Sequence, residues 1–347
     1  MPRHFVYCLI ISVLIACEPA TPSVVTPAVY HWQARLQLQP EERSYLAAAG
    51  IEKLYLRFFD VDFDEERQEV VPLSILEVAD SLAGIREVVP TVFITNRTFQ
   101  ALDETGVDTL GARMLRLLTK LERQLPEQIE VREWQLDCDW TATTRPAFFH
   151  LLERLRAFLA ERGDRLSATI RLHQLAYPQQ TGVPPVDRGM LMCYNTGDLQ
   201  EPETENSILE LGAVAPYLGQ ADQYPLPLDL VLPAFSWGVL FREGRMIRLI
   251  HPLSPAHLSD TSRFLALQPP WYQVRKSTYL EGYYLYRDDR LRLEAVEVDT
   301  LQAAARLLHR RLRPEDRTIA LYHLDTTLVN RYPHGLLPQI ARLFEEP

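Results

Sequence analysis

Apolar runs of strand length alternate along this chain with stretches whose apolar residues recur at helical spacing. The helical spacing is clearest over Leu110–Gln124 and Pro146–Arg162, where apolar side chains return every three or four residues. Regular alternation of strands and helices indicates an α/β fold with parallel strands. Eight runs have the length and composition of strands: Val29–Gln33, Lys53–Asp60, Val88–Thr95, Arg132–Asp139, Leu166–His173, Gly189–Tyr194, Leu228–Phe235 and Thr318–Leu324.

The span between the seventh and eighth strand candidates holds about 80 residues, which is too many for one loop and one helix. Within it, Trp271–Leu293 is rich in aromatic residues and alternates in polarity, which predicts short strands around turns such as Asp288-Asp289. The following stretch, Val298–Arg313, has the pattern of a returning helix.

We therefore predict a single (β/α)8 barrel of the TIM type over residues 29–347, with a β-rich insertion at about 242–297 between strands seven and eight. A doubly wound open sheet is the alternative architecture. The chain has no Gly-rich phosphate loop of the Rossmann or P-loop kind, which favours the barrel.

The charge and the cysteines narrow the classes of partner. The chain has 347 residues and a formal net charge of −10, whereas a nucleic-acid-binding protein normally carries a basic stripe. Cys138 and Cys193 fall inside strand candidates, where they suit small core residues. They form neither a disulfide framework nor a zinc ligand set, so the sequence predicts no metal site and no cofactor. The oligomeric state stays open.

The N-terminus has the pattern of a secretory signal. The short basic start Met1–His4 precedes an apolar run, Phe5–Ala16, that is shorter than the ~20 apolar residues of a spanning helix. Leu14-Ile-Ala-Cys17 resembles the bacterial lipobox, in which the cysteine carries a lipid. We predict a signal peptide and lipobox over 1–17, a Pro-rich tether over 18–28, and a protein lipid-anchored at Cys17 to a bacterial membrane in the cell envelope. A plain signal peptide with a chance cysteine is the alternative.

The fourth strand candidate carries two acids at its end. Residues i and i+2 of a strand point to the same face, so Gln135, Asp137 and Asp139 share one face. Leu136, Cys138 and Trp140 share the other. One apolar face and one acidic face are typical of a barrel strand whose inner side opens onto a polar site.

Polar and aromatic side chains gather at the same end of nearly every strand candidate, and these ends meet around one mouth of a barrel. The acidic candidates for catalysis are Asp137, Asp139, Asp60 and Asp62. The candidates for substrate binding are His31, Trp32, Asn96, Trp140, Arg171, His173, Tyr194, Asn195, Trp237, Tyr322 and His323. Six of these residues in particular are predicted to line one mouth: Asp60, Asp137, His173, Tyr194, Trp237 and Tyr322.

Each candidate also has a structural interpretation. The two strand-end acids can cap the next helix or pair with Arg171 on the adjacent strand. A lone histidine is more often a satisfied structural residue than a ligand, and the tryptophans suit either a core or flat stacking on sugar rings. No HxH or HExxH spacing occurs, and a metal site would need several of these side chains to converge.

The segments Trp134–Thr141, Arg145–Arg156 and Leu166–Ile170 together resemble a family of uncharacterised bacterial secreted proteins and lipoproteins. In that family a strand of the LQIDFDA type precedes a helix and an LS-T strand, and the barrel looks like those of glycoside hydrolases. The resemblance implies a barrel fold and a site at strand four. Here Asp-Cys-Asp-Trp stands where the family has Asp-Phe-Asp-Ala.

The same strand also looks like the fourth strand of chitinase-type barrels, in which alternating acids end in a Glu that acts as the acid. In this chain the run ends Asp139-Trp140-Thr141, with no Glu. This departure argues against substrate-assisted chemistry of the chitinase kind.

These observations predict a lipid-anchored, glycoside hydrolase-like barrel that acts on a polysaccharide or glycan. Two carboxylates would flank the scissile bond. Because Asp137 and Asp139 approach a sugar from the same side, one of them should pair with an acid from elsewhere, and Asp60, Asp62, Asp325 and Glu281 remain open choices.

Two alternatives stay open: a non-catalytic glycan-binding lipoprotein on the same barrel, and a metal-dependent hydrolase with His and Asp ligands. A further expectation concerns protonation. We expect Asp137 to be ionised at neutral pH because Arg171 lies beside it, and the proton donor to be a carboxyl on another loop.

Overall fold

The computed structural model describes residues 23–345. Eight parallel strands form a barrel, and each strand pairs with the next in chain order. The first strand pairs with both the second and the eighth, so the barrel closes. The strands are β1 (Val25–His31), β2 (Lys53–Asp64), β3 (Glu87–Ile94), β4 (Glu133–Asp137), β5 (Arg165–Arg171), β6 (Arg188–Met192), β7 (Leu228–Pro233) and β8 (Arg317–Tyr322). The predicted (β/α)8 barrel is confirmed.

Two long helices illustrate why the outer layer forms. Glu104–Glu122 begins after Asp103, whose side chain accepts a hydrogen bond from the Gly106 backbone, and buries one apolar stripe. Arg145–Arg162 has Pro146 in its first turn and ends at Gly163, whose φ of +76° suits a left-handed helix end. Both helices bury their apolar residues against the barrel.

The remaining helices are shorter, and several lie at the carboxyl end of the barrel. They are Pro40–Ala49, Asn96–Ala101, Leu172–Ala176, Pro178–Thr181, Leu211–Val214, Val298–His309, Thr326–Arg331 and Leu336–Glu345, with 3-10 turns at Ala215–Leu218, Ala221–Gln223 and Pro255–Leu258. Within residues 23–345, none of the helices combines the length and apolarity needed to cross a bilayer.

The insertion between β7 and β8 is β-rich, as predicted. Its antiparallel sheet consists of the strands Ser236–Arg242, Arg245–Ile250, Phe264–Ala266, Trp271–Val274 and Arg290–Ala295. A hairpin of Thr278–Leu280 and Tyr283–Leu285 extends from this sheet. The insertion has a small core of its own, which includes Phe264, Leu285 and Leu291.

One barrel strand runs past the barrel. The second half of β2 pairs with the antiparallel strand Glu69–Leu73, in the register Asp60 to Leu73 and Asp64 to Glu69. Two further short strands, Arg35–Leu36 and Glu77–Val78, pair beside it. The end of β2 therefore leaves the mouth of the barrel as a hairpin.

Buried polar side chains fill the barrel interior. The Tyr30 hydroxyl donates to Gln135 Oε1 at 2.6 Å, and the Tyr30 and Tyr55 rings stack at 4.6 Å. At the amino end, Lys53 Nζ lies 3.0 Å from a Glu87 carboxylate oxygen and 3.6 Å from one of Glu133. The amino end is thereby packed with paired charges, and the opening lies at the carboxyl ends of the strands.

Candidate functional site

A cleft of about 570 Å³ opens at the carboxyl end of the barrel, and we call it the barrel cleft. Seven of the eight barrel strands contribute to it at their carboxyl ends, and the insertion supplies one wall. The lining residues are Trp32, Phe93, Asp137, Asp139, Arg171, Tyr194, Asn195, Phe235, Trp237, His251, Tyr322 and His323. Nine of the predicted site residues therefore meet in one place.

Two carboxylates in the cleft share one guanidinium group. Asp137 is buried at the end of β4 and accepts a hydrogen bond of 2.7 Å from the Thr169 hydroxyl. Arg171, at the end of β5, lies 3.7 Å from Asp137 Oδ1 and donates through Nε to Asp139 Oδ1 at 2.5 Å. The Asp139 side chain is 59% exposed. Both acids therefore face the same side of the cleft, as the alternation of strand four predicted.

The pKa of Asp137 depends on burial as well as on Arg171. Burial raises the pKa of this carboxyl, and this effect outweighs Arg171 and the Thr169 hydroxyl, which act in the opposite direction. The neighbouring charges of Asp139 and Asp60 raise the pKa further. Arg171 therefore does not dominate the pKa of Asp137, whereas the expectation that this carboxyl is ionised at neutral pH stays a prediction. Asp137 keeps its proton to higher pH than an exposed carboxyl does.

Aromatic rings form the floor of the cleft. Tyr194 and Tyr322 stack with their centroids 5.5 Å apart, and Phe235 meets each of them edge-on at 5.9 Å. Trp32 lies 5.6 Å from Tyr322, and Trp237 lies 5.2 Å from Phe235. The cleft thus combines a broad apolar surface with an ionic pair at one side, which is the usual make-up of a ligand site.

The insertion fixes the position of Trp237. The Trp237 indole N–H donates to Glu294 Oε2 at 2.8 Å, and Glu294 pairs with the fully buried Arg292. The Ser207 backbone N–H donates to the same carboxylate oxygen at 2.9 Å. The shared carboxylate of Glu294 thus ties Trp237 to Ser207 and Arg292, which holds this wall of the cleft in place.

Two histidines lie on the β8 side of the cleft. The rings of His251 and His323 are 5.8 Å apart, and burial lowers the pKa of both. His323 Nε2 lies 3.8 Å from Asp325, and the buried Nδ1 of His323 has no hydrogen-bond partner among the described residues. A neutral imidazole in this position can donate or accept one hydrogen bond to a ligand.

Two of the predicted acids lie outside the barrel cleft. Asp60 lies level with Asp137, with Phe93 between them in the sheet register, but its carboxylate is paired with Arg57. Asp62 lies further along the hairpin of β2, where hydrogen bonds from Arg97 lower its pKa to about 2. Asp60 is not among the residues that line the barrel cleft, although it lies close enough to Asp137 to affect the pKa of that acid.

Four of the predicted binding residues also lie elsewhere. His173 is exposed in a helix, because β5 ends at Arg171 and the alternation of the strand stops there. Trp140 is buried against Phe148 and donates its indole N–H to a backbone carbonyl, because it points to the helix side of the sheet. His31 is buried below the cleft, and Asn96 accepts from Thr144 at a helix start. Burial, together with His323, lowers the pKa of His31 to about 4. None of these four residues lines the barrel cleft, and their part in ligand binding stays a prediction.

Sequence reasoning missed three lining residues, namely Phe93, Phe235 and His251. Phe235 ends the seventh strand candidate, and Phe93 sits two residues before Thr95 on the third, so strand position was an available signal. His251 lies in the insertion, where no barrel pattern predicts proximity to the mouth. The other proposed acids, Asp325 and Glu281, do not line the cleft either.

The described residues do not form a metal site. Over residues 23–345, no group of three or more His, Cys, Asp or Glu side chains is placed to hold a metal ion. The metal-dependent alternative therefore has no ligand set in this part of the chain.

No protein-family model and no curated protein matches the sequence. Solved structures do match. The spore cortex-lytic enzyme SleL of Bacillus megaterium superposes with a TM-score of 0.58 at 13% identity, over 93% of this chain and 74% of that one. The SleL of Bacillus cereus gives a TM-score of 0.56 at 14% identity, over 93% and 76%.

A chitinase of family GH18 from Cycas revoluta, a mutant in complex with (GlcNAc)4, gives a TM-score of 0.55 at 14% identity, over 91% of this chain and 98% of that one. At these identities the likeness concerns the fold alone. The chain therefore has the (β/α)8 barrel fold that these chitinases and spore cortex-lytic enzymes also have.

Proposed function

We propose that the protein binds a glycan chain in the barrel cleft. The observation that carries this proposal is the joint lining of one open cleft by aromatic rings and by the Asp137–Arg171–Asp139 cluster. Aromatic faces suit the apolar faces of sugar rings, and charged side chains bind hydroxyl groups. A protein of the same fold is in complex with (GlcNAc)4, so N-acetylglucosamine oligosaccharides are the first probe.

Binding without hydrolysis is the form of this function that the geometry supports best. Glycosidases place two carboxyl groups on either side of the scissile bond, about 5–9.5 Å apart. Among the described residues, the only carboxyls that line the cleft are Asp137 and Asp139, and both contact Arg171 from one side. Thr141 stands where chitinase-type strands end in Glu, and its backbone N–H donates to the Thr144 hydroxyl.

A glycosidase is the second candidate, and the raised pKa of Asp137 favours it. A carboxyl that holds its proton can donate it to a glycosidic oxygen. In that case Asp137 is the acid itself, rather than a carboxyl on another loop, and Asp139 is the remaining carboxylate.

The experiment that separates the two candidates uses the full chain and a panel of envelope and plant glycans that includes N-acetylglucosamine oligosaccharides. Titration calorimetry measures binding, and mass spectrometry of the same samples measures chain shortening. We expect binding without shortening. Asp139→Asn should weaken binding about tenfold, because one charged hydrogen-bonding group is lost.

The matched control is Asp62→Asn, which changes an acid outside the cleft and should leave binding unchanged. Shortened products that disappear in Asp137→Asn would establish the glycosidase. If no glycan of the panel binds, the proposed function fails.

Lipid anchoring belongs to the same proposal, although Cys17 lies outside the described residues. The lipobox-like Leu14–Cys17 and the following Pro-rich segment support an envelope protein held on a tether. Cys17→Ser should abolish lipid labelling and release the protein from the membrane fraction. A variant that still labels with lipid rules out this attachment.

A further inference from the structure

The hairpin of the insertion presents an unusual group of exposed tyrosines. Tyr279, Tyr283, Tyr284 and Tyr286 are 67%, 36%, 45% and 52% exposed, and none of them lines the barrel cleft. With Ile247 and Leu265, the insertion holds six of the ten large apolar side chains that are exposed in the described part of the chain. Contiguous exposed apolar groups mark a surface that contacts something else.

The hairpin is a rigid support for these side chains. Leu280 and Leu285 are buried in the core of the insertion, on the strands that carry the tyrosines. The Tyr279 and Tyr284 rings are 5.0 Å apart, and those of Tyr284 and Tyr286 are 5.1 Å apart. The tyrosines therefore project from a fixed backbone and contact one another.

The charge of the insertion is opposite to that of the chain as a whole. Between residues 236 and 295 there are nine Arg and Lys against six Asp and Glu, whereas the chain has a net charge of −10. Two arginines lie beside the tyrosines. The exposed Arg248 is 4.3 Å from the Tyr283 ring, and Arg242, which pairs with Asp289, is 4.3 Å from the Tyr286 ring. This surface is complementary to an anionic partner.

Tyr279 and Tyr284 are inclined at 66°, and Tyr284 and Tyr286 at 89°. The headgroup region of a bilayer is an anionic partner that suits this mixture of tyrosine and arginine side chains. It accommodates tyrosines at any inclination and attracts arginines through its anionic lipids.

We infer that the tyrosine hairpin, residues 278–286, docks on an anionic lipid bilayer. The tyrosine rings enter the headgroup region, while the exposed Arg248 beside them faces the lipid phosphates. This contact uses a surface separate from the barrel cleft, and it does not depend on glycan binding.

The test uses the full chain with Cys17→Ser, so that a lipid on Cys17 does not contribute. Hydrogen exchange of the segment 276–290 is measured with vesicles of phosphatidylglycerol and with vesicles of phosphatidylcholine. We expect protection of the hairpin by phosphatidylglycerol, reduced by added salt. In co-sedimentation, the triple variant Tyr279→Ser, Tyr284→Ser, Tyr286→Ser should partition about tenfold less.

The matched control is Tyr177→Ser, an exposed tyrosine on the barrel, which should partition as the parent does. Hydrogen exchange of the chain that carries only Cys17→Ser tests the inference even if the triple variant misfolds. An unprotected hairpin on vesicle-bound protein overturns the inference. Protection by a soluble polyuronate but not by vesicles overturns it too and assigns the surface to a polysaccharide.

Discussion

Strand β4 carries a buried acid at each end of the barrel, and the two acids have different surroundings. Glu133 faces the closed amino end, where Lys53 lies 3.6 Å away and is only 6% exposed. Asp137 faces the barrel cleft, where its cation Arg171 is 21% exposed. Burial raises the pKa of both acids, against the effect of the cation in each case. A buried carboxyl beside a cation thus contributes to packing at the amino end of the barrel, and the same kind of pair faces the barrel cleft at the carboxyl end.

The largest effect is expected at the closed end. Glu133→Ala removes a carboxylate that accepts from the Ser167 hydroxyl at 2.6 Å and faces Lys53. Breaking a buried pair by removing one partner costs about 3–5 kcal/mol, and because Glu87 still faces Lys53 we expect about 3 kcal/mol. Urea unfolding measures this loss. Glu130→Ala is the control, since its pair with Arg132 is exposed and screened by solvent, so the free energy of unfolding should stay almost unchanged.

An intermediate, pH-dependent effect is expected at Asp137. Its folded pKa lies above the ordinary value of 3.8, so above that pH the folded chain holds a proton that the unfolded chain has lost. Stability therefore falls as the pH rises, by about 1.4 kcal/mol for each pH unit of the interval between the two pKa values.

Asp137→Asn cannot ionise, and it should lack this fall. Urea unfolding of both proteins between about pH 4 and pH 8 measures the difference. If the two stability curves run parallel, the carboxyl is ionised in the folded state, and the likeness between the two ends of β4 is lost.

The smallest effect on stability is expected at Asp139. Its ion pair with Arg171 is largely exposed on the carboxylate side, so Asp139→Asn should change the free energy of unfolding by no more than about 1 kcal/mol. The same variant should lose glycan affinity, which separates binding from stability. A large loss of stability in Asp139→Asn would mean that the ion pair at the carboxyl end of the barrel also stabilises the fold.

The sequence predicts the barrel well because each strand has its own apolar pattern. It also places Asp137, Arg171 and Tyr194 correctly, since strand alternation and strand ends determine both the face and the level of a side chain. The errors occur where a strand stops behaving as a barrel strand. His173 lies in a helix that begins directly after β5. Asp62 lies in the part of β2 that forms a hairpin beyond the barrel.

Trp140 shows a different limit. Its position after β4 suggests the mouth, but alternation along the strand puts it with Leu136 and Cys138, on the side that packs against helices. Position along a strand and face of a strand are separate pieces of information, and both are needed. Neither of them predicts the pKa of Asp137, because this pKa depends on the desolvation that the whole fold imposes.

The buried Glu294 joins three parts of the molecule that are distant in sequence. It accepts from Trp237 in the cleft wall and from Ser207 in the loop after β6, while its own strand belongs to the insertion sheet. Cleft and insertion therefore turn together as one body. If the insertion rests on a surface, the hydrogen bonds of Glu294 determine the inclination of the cleft to that surface. They thereby also determine the direction from which a long polymer enters the cleft.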